Sequence, residues 1–224
     1  MTLSALTQFY DLPLRCFTFK DFQLAPTLEE YERLLGIPLA KSPPYFPRGI
    51  TLLGPRVPES KVLRQKKNRY GLEGISRASL EERLQQLQRE ENWPTFIDVY
   101  GLLIYDIILF PHIEDYVDLA AIDAFLGKRD RGENPVLSIL ANMYYTLDYY
   151  YRKNGKGLRC CTSLLYLWMT AHLFHDKKQQ VKVEWVTRLD EATEKTIRWY
   201  LQWNERESVI IKCEGFPNIP IMGT

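Results

Sequence analysis

Two cysteines and two histidines are the first residues to weigh for chemistry. Cys160 and Cys161 lie shortly upstream of His172 and His175, and zinc is held by such side chains. A zinc site needs four convergent ligands, with two or more residues normally separating paired cysteines so that both can turn inward. Adjacent cysteines point in different directions on a helix or strand. The spacing therefore fits two buried thiols and two helix-end histidines, and no metal-ligating residue is assigned. Nucleophilic catalysis would need a Ser or Cys poised by a His and a carboxylate. The chain has three histidines, His112, His172 and His175, and no Gly-x-Ser-x-Gly elbow. Asp98, Asp106, Asp115, Asp118 and Asp123 are close in sequence, as carboxylates on solvated helix faces often are. No acid–base pair can be placed in a common site. Gly155-Lys156-Gly157 lacks the Gly-x4-Gly-Lys-Ser/Thr form of a phosphate loop and reads as a turn. The expectation is a non-enzyme with no catalytic residue and no cofactor.

Two features suit binding instead. Lys61, Arg64, Lys66, Lys67 and Arg69 put five positive charges into nine residues. Such a run can neutralise backbone phosphates and bind nucleic acid without reading its sequence, and Tyr70 beside it has a ring able to stack on a base. The competing reading is a solvated loop or helix start, which the balanced overall charge favours. Tyr144, Tyr145, Tyr149, Tyr150 and Tyr151 form the second feature. They cannot all share one helix face, and aromatic residues left outside a core mark partner surfaces; ordinary core and rim packing is the plainer account, since Tyr tolerates half-burial.

The elements that must position these residues read as helices. Thr27 followed by Glu30 is a capping box, opening a helix over 28–35 that stops at Gly36. Residues 37–60 carry six prolines and read as an irregular connection. Ser79 and Glu82 suggest a second capping box, with Leu80, Leu84 and Leu87 on one face as far as Glu91. Pro94 suits a first helical turn. The stretch from Phe96 to Phe110 is apolar nearly all round, so it is expected to be the most buried helix. A shorter helix runs from Leu119 to Leu126 and ends at Gly127, with a charged loop over 128–133. Asn134-Pro135 opens the next, with Leu137, Leu140, Ala141, Tyr144, Leu147 and Tyr151 on one face. Leu158 to Phe174, carrying Trp168, is another. The alternation over Val181 to Val186 suggests a strand, Asp190 a cap for a helix with Ile197, Tyr200 and Leu201, and Ser208 to Cys213 a last strand. Residues 16–19 look extended. The fold class expected is mainly α: a single helical globular domain, 1–224, with a few short β-strands.

The totals set the outer bounds. A 224-residue chain that is 46% hydrophobic can bury a sizeable core, and with 25% charged residues it is not a disordered polymer. Twenty-nine basic against 28 acidic residues leave a net charge of +1, which supplies no global pull toward nucleic acid or an anionic membrane. Four cysteines are too few for a disulfide-stapled scaffold. No signal peptide opens the chain, and the apolar run from Val99 to Phe110 is short of the roughly 20 residues a membrane span needs. Nucleus or cytoplasm is therefore the expected location.

The run from Leu6 to Leu39, LTQFYDLPLRCFTFKDFQLAPTLEEYERLLGIPL, resembles the N-terminal hallmark of a plant domain group related to the plant mobile domain, also labelled aminotransferase-like. Glu133-Asn134-Pro135-Val136, the stretch from Asn142 to Leu147, the stretch from Cys160 to Trp168, and the closing Asn218 to Thr224 resemble it too. The resemblance implies a domain of transposable-element origin, carried also by host genes that act in transposon silencing and meristem maintenance. It implies a protein partner, with a plant serine/threonine phosphatase as the candidate. It carries over no catalytic residue. Family members usually continue past Met-Gly-Thr, so the chain is expected to be truncated at its C-terminus. A pyridoxal enzyme would need a Schiff-base lysine in a two-domain α/β framework, and no alternating strand–helix pattern is present. The resulting expectation is a non-enzymatic protein-interaction module serving nuclear silencing or developmental regulation, with direct nucleic-acid binding through 61–69 as the alternative.

Overall fold

The computed structural model describes residues 2–37, 67–69, 72–111, 115–152, 158–173, 185–199, 210–213 and 216–221. Along the chain these form α1 (Thr2–Leu6), a 3-10 turn (Thr7–Phe9), β1 (Tyr10–Asp11), β2 (Cys16–Thr18), β3 (Gln23–Leu24) and α2 (Leu28–Leu35). Then come β4 (Lys67–Arg69), β5 (Leu72–Ser76), α3 (Arg77–Arg89), α4 (Trp93–Leu109), β6 (Tyr116–Asp118), α5 (Leu119–Arg131) and α6 (Val136–Arg152). The chain continues with α7 (Thr162–Leu173), α8 (Trp185–Asp190), β7 (Ile210–Cys213) and β8 (Phe216–Ile221). The fold is mainly α, with a few short antiparallel strands, as the sequence led us to expect. The chain packs as two compact units. The first comprises 1–36, 144–158 and 162–224, and the second 37–143 and 159–161.

The first unit begins with an antiparallel meander, β1–β2–β3, in which Phe17 stands opposite Tyr10 on one side and Leu24 on the other. Its rings build the core. Phe17 packs against Trp168, while Phe9, Phe19, Phe22 and Trp199 form a chain of ring contacts. Helix α2 keeps the boundaries read from sequence. The Thr27 hydroxyl accepts from the Glu30 amide, the Glu30 carboxylate accepts from the Thr27 amide, and Gly36 closes the helix at φ 67.

The C-terminal part departs from the expected pattern. Residues 185–190 are helical, so Trp185 and Val186 are not in a strand; residues 181–184 lie outside the described residues. The helix expected after Asp190 does not form over 191–199. Here Thr193 and Thr196 turn the chain through hydroxyl–backbone bonds, the alternative these side chains offer to helix. The Arg198 amide is also drawn away, donating to the His172 carbonyl. Strand β7 falls within the expected 208–213 and pairs with β8.

In the second unit β5 lies between β4 and β6, antiparallel to both. Ile75, Leu102, Leu103, Val117, Ile122 and Leu126 form its core, with Leu80, Leu84, Leu119 and Phe125 packed against them. Leu80, Leu84 and Leu87 do face inward, but Ser79 caps nothing. The helix starts three residues earlier, with Ser76 at the cap position, and its first amide, that of Arg77, donates to the Asp115 carbonyl. Gly127 does not stop α5. The helix runs through it to Gly132 at φ 67, where a left-handed cap costs glycine nothing. The charged residues 128–131, expected as loop, are the last turn of this helix, where Lys128, Arg129 and Arg131 complement its dipole. Asn134 opens α6 as expected, its side-chain oxygen accepting from the Val136 amide while its amide group donates to the Ile37 carbonyl. The buried stripe of α6 is Val136, Ile139, Met143 and Leu147. It is rotated from the predicted one: Ala141 and Tyr151 face solvent. In the first unit, helix α7 begins at Thr162, later than the expected Leu158, and keeps Trp168 buried.

Candidate functional site

A histidine–carboxylate pair that the sequence did not bring together lies in the first unit. Helix α2 carries Glu30 and α7 carries His172, 142 residues apart. His172 Nε2 is 2.9 Å from Glu30 Oε1, and Nδ1 is 2.7 Å from the Arg198 carbonyl. A carbonyl only accepts, so Nδ1 carries a hydrogen. Trp168 Nε1 and the Thr27 amide both donate to Glu30 Oε2, at 2.8 and 2.9 Å. Burial pushes the Glu30 pKa up. The hydrogen bond and charge of His172, then the Thr27 amide and the Trp168 indole, outweigh this and hold it below the usual carboxylate range. Both side chains are sealed in, at 1% exposure for His172 and 8% for Glu30. Every polar atom of the pair is already engaged. The arrangement therefore suits a structural tie among α2, α7 and the 191–199 turn better than proton transfer to a substrate.

The other sequence candidates separate. Lys61, Arg64 and Lys66 lie outside the described residues, as do Tyr70, His112, His175, residues 38–60 and the Gly155-Lys156-Gly157 turn. Lys67 and Arg69 belong to β4, at register positions opposite Gly74 and Leu72, in a strand where sequence suggested loop or helix start. Cys160 and Cys161 are buried ahead of α7, and burial pushes the Cys160 thiol up to about 12. Among the described residues no group of three or more His, Cys, Asp or Glu could hold a metal ion. The aspartates are not uniformly solvated as expected. Asp106 is fully buried, 3.4 Å from the Arg77 guanidinium, whereas Asp118 caps α5 and Asp98 pairs with Arg129 at 3.0 Å. Of the tyrosines, Tyr144 donates to the Pro26 carbonyl and Tyr150 is half-buried, whereas Tyr145, Tyr149 and Tyr151 are exposed. An open cleft of about 450 Å³ beside β1 includes Tyr10, but that hydroxyl is committed to Asp148 at 2.6 Å.

The feature that sequence reading inverted is α4. This helix was expected to be the most buried. Only Leu102, Leu103 and Asp106 are buried within it, and Trp93, Ile97, Tyr100, Ile104, Ile107 and Ile108 are exposed, from 39% at Ile104 to 66% at Ile97. Trp93, Ile97, Tyr100, Ile104 and Ile107 follow one another at intervals of four, three, four and three. That is the 3.5-residue repeat of a helix–helix seam, whose side chains insert between those of a facing helix. The face is held at the surface because α4 turns its other side to α3 and α5. Its charge is spent elsewhere: Asp106 points into the core and Asp98 is paired.

A family model described as Domain of unknown function (DUF7745) matches residues 1–224. The chain belongs to this family. No curated protein and no solved structure matches it. Within this DUF7745 chain no described helix is long and apolar enough to cross a membrane. The heptad spacing was available in the sequence. It was hidden because the inward residues of α4 are equally apolar, and only packing distinguishes the two faces.

Proposed function

We propose that this chain is a non-enzymatic protein-interaction module whose docking surface is the outer face of α4. The observation that carries this reading is the uncharged row of large side chains from Trp93 to Ile108, all left exposed on one helix. Six such residues, each presenting ~200 Å² when fully free, leave roughly 600 Å² of apolar surface. That reaches the upper end of what an ordinary monomer shows as its largest patch, about 300–600 Å², and patches of that size mark interaction sites. The resemblance to the plant mobile domain supports a transposable-element origin and service in nuclear silencing or developmental regulation, with a plant serine/threonine phosphatase as a candidate partner.

The test is an affinity pull-down from nuclease-treated plant nuclear extract, comparing the native chain with an Ile97→Glu/Ile104→Glu variant. Protein partners that survive nuclease and disappear with the variant are the expected result. Partners lost to nuclease and indifferent to the variant would overturn the reading. They would transfer binding to nucleic acid, with Lys61, Arg64, Lys66, Lys67 and Arg69 as the residues to neutralise.

A further inference from the structure

The geometry points to a second copy of this chain as an occupant of the α4 face: two α4 helices pairing antiparallel about a two-fold axis near Tyr100. This inference rests on the reading of α4 as a docking surface and names what docks there. The 3.5-residue repeat calls for a helix with the same repeat as its complement, and α4 itself is such a helix. Isologous pairing requires a patch that matches its own rotated image. Rotating the seam about Tyr100 sets Trp93 against Ile107 and Ile97 against Ile104, so the Trp93 ring meets an aliphatic side chain and Tyr100 meets its own copy.

Charge and area both bear on the choice of occupant. Self-pairing fails when it brings like charges together, and none lies along this seam. The carboxylates of α4 are Asp98, paired to Arg129, and Asp106, inside the core. The whole chain carries a net charge of +1, so copies approach without long-range repulsion. Antiparallel packing also aligns the two helix dipoles favourably. Covering roughly 600 Å² on each copy buries about 1,200 Å² in total, the lower edge of what a specific stable interface needs. The dimer is thus expected to be reversible, forming in the micromolar range.

The test is sedimentation velocity on the full chain from about 1 to 100 μM. A concentration-dependent shift from monomer to dimer is expected. Ile97→Glu/Ile104→Glu should abolish the shift while leaving the helical circular dichroism unchanged, since both side chains are exposed. Tyr145→Glu, at an exposed side chain on α6 rather than α4, should leave dimerisation intact. In a Cys213→Ser background, Tyr100→Cys should form an intermolecular disulfide under mild oxidation, and Ile107→Cys should not, because antiparallel pairing puts the two copies of residue 107 some 20 Å apart. Cross-linking at both positions would overturn the antiparallel arrangement. A dimer that survives the α4 variant would overturn the assignment to this face. A chain that stays monomeric at 100 μM but loses its nuclease-resistant partners with the α4 variant would overturn self-pairing and leave the interaction reading standing. A monomer whose partners ignore the variant would overturn both.

Discussion

At the scale of single residues, the buried Glu30–His172 pair makes the sharpest prediction. Glu30 in the folded chain has a pKa below its unfolded value of about 4.3. A carboxyl group depressed in this way adds stability that is fully present above the unfolded pKa and is lost as pH falls through the folded one. Stability measured by urea unfolding should therefore decline below about pH 4, and Glu30→Gln should remove part of that decline. At pH 7 the same substitution leaves His172 facing an amide inside the core. One-sided disruption of a buried pair costs about 3–5 kcal/mol, so Glu30→Gln should bring the urea midpoint down sharply. An unchanged midpoint would show that the pair is dispensable. Cys160 makes a second prediction of this kind. Its thiol is buried and raised to about 12, so almost none is thiolate at neutral pH, and the thiolate is the reactive form. Peptide-level mass spectrometry after alkylation should find Cys160 unlabelled in the native chain and labelled in urea. Rapid native labelling would contradict the burial described for it.

At the scale of elements, legibility followed how local each signal is. The start and stop of α2 could be read because Thr27, Glu30 and Gly36 act within one turn of the positions they fix. The end of α5 could not, because Gly127 and Gly132 are chemically identical and differ only in which of them adopts φ 67. The tertiary fold makes that choice by burying Gly127 within the helix. The same holds for Arg198, whose backbone is claimed by His172, a demand invisible from Asp190 and its neighbours. The candidate surface was legible as a repeat but not as a surface, since Leu102 and Ile104 differ little in chemistry and face opposite ways. The cap of α5 can be checked directly. A non-glycine residue in the left-handed region costs about 1–2 kcal/mol, so Gly132→Ala should lower the unfolding free energy by about that much with an unchanged denaturant slope. Gly132→Asn should cost less, because Asn tolerates this conformation. Equal stability of all three would mean that the helix ends elsewhere.

At the scale of the whole molecule, the two units make different demands on the chain. Nearly all of the second unit comes from one continuous stretch, 37–143, and its core pairs residues no further apart than Ile75 and Leu126. The first unit is assembled from three stretches spread over the full length. Its N-terminal meander and α2 depend on late residues for their burial: Phe17 rests on Trp168, Phe22 meets Trp199, and Glu30 is satisfied by Trp168 and His172. Strands of two or three residues with one face uncovered are not stable alone, and an eight-residue helix is marginal without packing. Removing residues 162–224 should therefore unfold 1–36 while leaving the core of the second unit in place. Hydrogen exchange followed by mass spectrometry distinguishes the two outcomes. Amides of 10–35 should exchange at unfolded rates in the truncated chain, whereas those of 96–106 and 119–131 should keep their protection. Protection retained over 10–35 would mean that the early rings form a core without Trp168, and the tie from Glu30 to His172 would then be an addition to that core rather than a condition of it.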